Sequence, residues 1–245
     1  MIAKLLRTAQ SEIPFIKALK ENGVRHYRKW LKRPHEKDFG ILRLIDLAGR
    51  EIIDVGANRG QSIEAIRVYN ETVKICAFEP NVLLAKKIEL RYRRDRNIKI
   101  VNAALGEKPG KFTLYTPIYN GHIYDGLASL DRDAAESWLC ESSLYLFRKS
   151  KLKIFEQSCL VRRIDDYDFS PGLIKIDVQG TELSVIKGGM DTITRHRPTM
   201  LIERDRGFDG VSAILGNLGY REFALDAGGL RPGKNSGPNA IFVAS

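Results

Sequence analysis

No apolar run in the 245 residues approaches the ~18 needed to cross a bilayer, and the N-terminal stretch MIAKLLRTAQSEIPFIKALK lacks the continuous apolar segment of a secretory signal. A cytoplasmic, unexported chain is expected. Cysteine is scarce too. Cys76, Cys140 and Cys159 are widely spaced and contain no Cys-x-x-Cys pair, which argues against a disulfide framework or a zinc site. Cys76, inside an apolar stretch, reads as a small core residue. Internal repeats and low-complexity tracts are missing. So is the glycine pattern of a dinucleotide site. After the strand Ile52–Val55, the turn Gly56-Ala-Asn-Arg-Gly60 has Asn58 where a pyrophosphate needs glycine, and Ser62 follows instead of a third glycine. A nicotinamide oxidoreductase is disfavoured on this ground.

Hydrophobic residues make up 43% of the chain, enough at this length to fill the core of one large α/β domain with an extension. The formal charge is +10 and unevenly spread, because residues 1–50 hold twelve bases against five acids. Within them Ile2, Leu5, Leu6, Ala9, Ile13, Ile16 and Leu19 recur near helical spacing among lysines and arginines, with a break or restart near Pro14. This basic amphipathic helix either packs as a lid or rests on a membrane surface as a peripheral contact. Its charge also admits an RNA methyltransferase as the alternative function. With no recognised RNA module, nucleic acid is not the expected partner. The chain is read as a basic helical extension over 1–48 and an α/β domain over 49–245.

Beyond the extension, apolar strands alternate with helical segments: strand 51–55, helix 60–69, strand 73–78, helix 82–94 and strand 98–102. Leu83, Leu84, Ile88 and Leu90 of the second helix are expected to face the sheet. Residues 111–116 alternate like an exposed or edge strand, and 117–157 resist assignment, as a lid or substrate-binding insertion would. Strands at 158–164, 173–178 and 199–203 follow, with helices from Thr181 and near 211–218. Strands at 222–225 and 240–243 close the chain, joined by a Gly/Pro-rich turn, as an antiparallel edge.

The turn and the strand after it point to a nucleoside. Glycines allow a ligand to lie against the main chain, and Glu79 ends the next strand, where a carboxylate can accept both ribose hydroxyls. A carboxylate so placed is expected to support no core. Asp54, an acid inside the strand before the turn, suits the sulfonium and amino group of S-adenosylmethionine better than phosphates.

The segments DVGANRGQ, AFEPN, NAALGE, LIKIDVQGTELSVIKGG and RPTMLIE, in this order and spacing, resemble the FkbM family of S-adenosylmethionine-dependent methyltransferases over about residues 50–205. The resemblance implies a Rossmann-like domain with a seven-stranded, mostly parallel sheet and an antiparallel C-terminal edge strand. It also implies methyl transfer to a hydroxyl of a sugar, glycolipid or polyketide, lipochitooligosaccharide signals among them. On the matching positions, Asp54, Gly56, Asn58, Gly60 and Gln61 would form the methionine pocket and Glu79 with Pro80 the ribose site. Asn102 and Ala103 would border the adenine, and Asp177 would stand beside the transferring methyl group. Ser129, in Leu-Ala-Ser-Leu, departs from the family's paired serines.

An acceptor hydroxyl must lose its proton, and Asp177 and His122 are the candidate bases. Asp177 could equally stabilise the donor's cationic amino group. No metal is expected, although Asp177, Glu203 and Asp205 would supply three oxygen ligands for magnesium if they converged. Glu182 reads as a first-turn helix acid.

Overall fold

The computed structural model describes residues 37–245, apart from Arg206 and Ala227. The amphipathic helix read in residues 2–19 lies outside them. The chain divides into two compact units, one of residues 34–111 with 160–245, the other including 112–159. In chain order come β1 (Glu51–Val55), α1 (Gln61–Tyr69), β2 (Lys74–Phe78), α2 (Val82–Tyr92), β3 (Ile98–Val101) and β4 (Ala104–Leu105). Next are β5 (Gly110–Tyr119), β6 (His122–Ile123), the short α3 (Arg132–Ser137) and β7 (Leu152–Arg162). The rest forms β8 (Pro171–Ile176), α4 (Glu182–Lys187), α5 (Met190–His196), β9 (Thr199–Glu203), α6 (Phe208–Asn217), β10 (Tyr220–Asp226), β11 (Gly229–Pro232) and β12 (Asn239–Ala244).

The larger unit is built on an eight-stranded sheet of order β11–β10–β12–β9–β8–β1–β2–β3. Pairings among β3, β2, β1, β8 and β9 are parallel, and those of β12 with β9 and β10, and of β10 with β11, are antiparallel. The strand count exceeds the expected seven by β11, the return of a hairpin within the Gly/Pro-rich stretch read as a turn. Nor is the last strand the edge. Ala240, Ile241 and Phe242 of β12 are all buried, and such a strand is stable only between neighbours, here β9 and β10.

The parallel strands are apolar on both faces. Ile53, Val55, Cys76, Phe78, Ile174 and Ile176 pack with Val185, Ile186, Ile193, Val211 and Leu215. Ile52, Ile75, Ala77 and Leu173 pack with Ile63, Ile66 and Ile88, joined by Phe39, Ile41 and Leu42 from the 3-10 turn Lys37–Arg43. Part of the segment grouped by charge with the extension therefore serves as core. In α2, Leu84, Ala85 and Ile88 form the buried face, whereas Leu83 and Leu90 are 51% and 65% exposed. The expectation for those two leucines fails because they lie off the face that 3.6-residue periodicity gives to Leu84 and Ile88.

Strand connections run β1 to β2 to β3 in one direction across the sheet and β8 to β9 in the other. The point of reversal lies between β1 and β8, where open α/β sheets leave a crevice at their carboxyl ends.

In the smaller unit, Tyr119, Leu139 and Leu144 form a compact core with Tyr124, Leu127, Phe147 and Leu152. Tyr119 stacks on Phe147 at 5.3 Å, and its hydroxyl accepts the Arg148 N–H at 3.0 Å. β5 continues beyond its expected end and has β7 on one side and β6 on the other, so it is not an edge strand. Ser129 accepts the Asp131 N–H at 3.0 Å, and Asp131 in turn caps α3 through the Asp133 N–H.

Candidate active site

At the end of β1 the chain turns at Gly56, φ 83°, whose N–H and that of Ala57 both donate to the Phe78 carbonyl at 3.0 Å. A Cβ on Gly56 would lie 1.8 Å from the Asp177 carbonyl oxygen, so the meeting of the β1 and β8 ends requires glycine there. Asn58 (φ 48°) and Gly60 (φ 82°) continue the turn, and Gly60 leads directly into α1. Gln61, first residue of that helix, accepts the Arg59 N–H through Oε1 at 3.1 Å.

Glu79 is buried at the end of β2. Its Oε2 accepts the Asn58 N–H at 2.7 Å and its Oε1 the Asn81 N–H at 2.8 Å, while Asn81 caps α2 by accepting from Leu83 and Leu84. One carboxylate thus pins the β1 turn and the start of α2, a structural role in the turns beside the absence of a core role expected of it. A carboxylate oxygen can accept more than one hydrogen bond. Asn102 donates to the carbonyls of Glu79 and Pro80 at 2.8 and 3.0 Å, bracing this edge, and the methyl of Ala103 is buried in the core. Glu79→Ala is accordingly expected to weaken donor binding by about 1.5–3 kcal/mol and also to lower stability, since two backbone N–H groups lose their acceptor. Calorimetry and urea denaturation on the same variant check both; full retention of either property would contradict the double role.

A family model described as the methyltransferase FkbM domain matches residues 54–222, from the acid of β1 through β9 and into β10. The chain belongs to the FkbM family of S-adenosylmethionine-dependent methyltransferases. A curated relative, the 2-O-methyltransferase NoeI of Sinorhizobium fredii, is 26% identical over 171 residues, 64% of each chain. Among solved structures, methyltransferase FkbM from Methylobacillus flagellatus KT has a TM-score of 0.51 at 18% identity, covering 79% of this chain and 43% of that one, a likeness of fold. The chain therefore spans less than two thirds of the length of either relative.

Within this FkbM domain a buried lysine organises the site. Lys175, 6% exposed, sits opposite Asp54 in the β1–β8 register. Its Nζ donates to the Gly56 carbonyl and Asp177 Oδ2, both at 3.2 Å, and stands 3.5 Å from Asp54 Oδ1. The other oxygen of Asp54 accepts the Ser62 hydroxyl. With 0% exposure, Asp54 is held inward on Lys175 and Ser62. Burial raises its pKa, with Lys175 and Ser62 opposing.

Asp177 is the exposed member, its side chain 32% accessible at the end of β8. Burial alone would raise its pKa, but the charge of Lys175 and hydrogen bonds from Glu203, Gln179 and Lys175 outweigh it and hold it at about 2. Gln179, at φ 59°, donates its amide to Asp177 Oδ1 at 3.0 Å and to Glu203 Oε2 at 2.7 Å. Burial, then the hydrogen bond and charge of Asp177, push Glu203 up to about 8. Glu182 is a first-turn acid as read, buried and accepting the Val178 and Gly180 N–H groups. Among the described residues no group of three His, Cys, Asp or Glu side chains could hold a metal ion. Asp177 and Glu203 are joined through Gln179.

The FkbM turn, Glu79, Asn102 and Asp177 thus share the carboxyl edge of the larger unit. His122 belongs to the smaller unit, in β6, with its ring edge-on to Tyr124 at 5.0 Å. Lys175 and Gln179 were not found from sequence. A charge inside the otherwise apolar run Pro171–Ile176, two residues before Asp177 and so on the same strand face, was the signal available for Lys175.

Proposed function

We propose that this chain transfers a methyl group from S-adenosylmethionine to a hydroxyl of a saccharide or glycolipid, with the fucose of a lipochitooligosaccharide nodulation signal as the narrowest case. The carrying observation is the acid-lined edge: Glu79, Asp177 and Glu203 end β2, β8 and β9, and the only lysine among them, Lys175, is occupied by Asp54, Asp177 and a carbonyl. Such an edge favours a cation and repels a pyrophosphate. The donor supplies, when bound, an electrophilic methyl group on a sulfonium. Glu79 would hold the ribose hydroxyls, with Asn58 and Gly60 shaping the turn beneath. Asp177 would accept the hydrogen bond of the acceptor hydroxyl and align it for in-line attack, a contribution of about 7–11 kcal/mol in favourable cases. Acceptor specificity would reside in the 117–157 insertion, which carries His122, and in the N-terminal extension. Support for oxygen as the acceptor atom comes from the 2-O-methyltransferase relative.

Calorimetry with S-adenosylmethionine and NAD, followed by mass spectrometry of glycans from cells making and lacking the protein, tests this reading. S-adenosylmethionine should bind more tightly, and one glycan should lose a single methyl group when the protein is missing. Tighter NAD binding would overturn the donor assignment, and unchanged glycans with methylated RNA loss would favour the RNA alternative.

A further inference from the structure

Three carboxyl groups, Asp54, Asp177 and Glu203, meet one ammonium, that of Lys175, in a cluster that is buried or half-buried throughout. Full ionisation would leave two uncompensated negative charges there, whereas one retained proton leaves a single charge. Asp54 is raised by burial but has Lys175 beside one oxygen and the Ser62 hydroxyl on the other, so the geometry leaves the proton to be placed between Asp177 and Glu203. Asp177 receives Lys175 on one oxygen and Gln179 on the other, so its anionic form is stabilised twice, while Glu203 has only the shared amide and the neighbouring Asp177. Of the remaining groups facing Glu203, Lys175 acts to lower its pKa, but less than Asp177 raises it. Glu182 adds negative charge from α4, Asp205 acts likewise on Glu182, and Asn239, opposite Glu203 on β12, is uncharged.

We propose that Asp177 and Glu203 form a one-proton pair, with the proton on Glu203, and that Glu203 releases it to solvent when a cationic donor takes its place beside Asp177. The pair is thereby a charge-matching device: it presents one negative charge when the cleft is empty and two when a positive sulfur must be neutralised. The proton moves from the Glu203 carboxyl oxygen to bulk water, and no other bond is made or broken. This rests on the donor reading above. It predicts a selectivity rule, because a sulfonium drives the release and the neutral thioether of the demethylated product does not.

Titration calorimetry of the whole chain at about pH 7.5, in two buffers of different ionisation enthalpy, reads the proton directly. Binding of S-adenosylmethionine should release on the order of half a proton, and binding of S-adenosylhomocysteine close to none. Glu203→Gln keeps the shape and the amide contact and should bind both ligands with no release. S-adenosylmethionine affinity should rise with pH through about 8 in the native protein and stay flat in the variant. Binding of S-adenosylmethionine without proton release, or equal release in Glu203→Gln, overturns the pair while leaving the donor reading intact. Absence of binding by either ligand overturns both.

Discussion

Asp177→Asn should lower turnover at saturating donor by about 10²–10⁴-fold while leaving donor affinity close to native. The substitution keeps shape and removes charge and basicity from the half-exposed group at the end of β8. Affinity is spared for a specific reason. Burial and the charge of Asp177 both raise Glu203, so in the variant Glu203 gives up its proton to a bound donor more readily and still supplies the negative charge that the donor draws out. That charge then sits on β9, displaced from the acceptor hydroxyl, and the alignment is lost. Steady-state kinetics beside calorimetry separates the alternatives. A fall in affinity with turnover recovered at saturation would leave Asp177 only the neutralising of the donor and no part in aligning the acceptor, and retention of both would remove it from the site altogether.

Lys175→Met should destabilise the protein by about 3–5 kcal/mol, the usual consequence of stripping one partner from a buried ion pair. Asp54 has no exposure and only Ser62 besides Lys175, so its carboxylate would be left without a counter-charge between β1 and β8. The pH dependence has a defined sign. Asp54 is already raised by burial, and without Lys175 it rises further, so the folded variant binds a proton that the unfolded chain has released. Stability relative to native must therefore improve as pH falls through that raised pKa and worsen as pH rises above it. Urea denaturation of both proteins at about pH 5.5 and 8 measures it; an equal deficit at both values, or none, would show that Asp54 and Lys175 do not depend on each other.

Both substitutions concern residues whose chemistry the primary structure displays unequally. Asp177 stands at the end of an apolar run, followed by Gln-Gly, and reads as a strand-end acid at once. Lys175 reads as an anomaly in that run, and its purpose appears only when β1 lies beside β8 and brings Asp54 opposite it. Asp54 shows a different side of the same limit. Its position before a glycine turn suggested a ligand contact, yet alternation along β1 turns the carboxylate into the sheet's own interior. Glu79 combined the two cases, since a strand-end acid can face a ligand and still hold two backbone N–H groups of the adjoining turns.

What the chain's linear order determined by itself was the alternation of apolar strands with helices, the glycine turn after β1, the acids ending β2 and β8, and the membership of a methyltransferase family. These are local matters: side-chain periodicity, backbone freedom at glycine and short motifs act over a few residues, where covalent connection already fixes the geometry. Tertiary structure alone decided that β12 inserts between β9 and β10, that β11 makes an eighth strand, and that Leu83 and Leu90 point outward. It alone also assembled Lys175, Asp54, Asp177, Gln179 and Glu203 into one cluster. Burial, which sets the charge state of every member of that cluster, depends on which distant strands become neighbours, and no single segment of the chain carries that information.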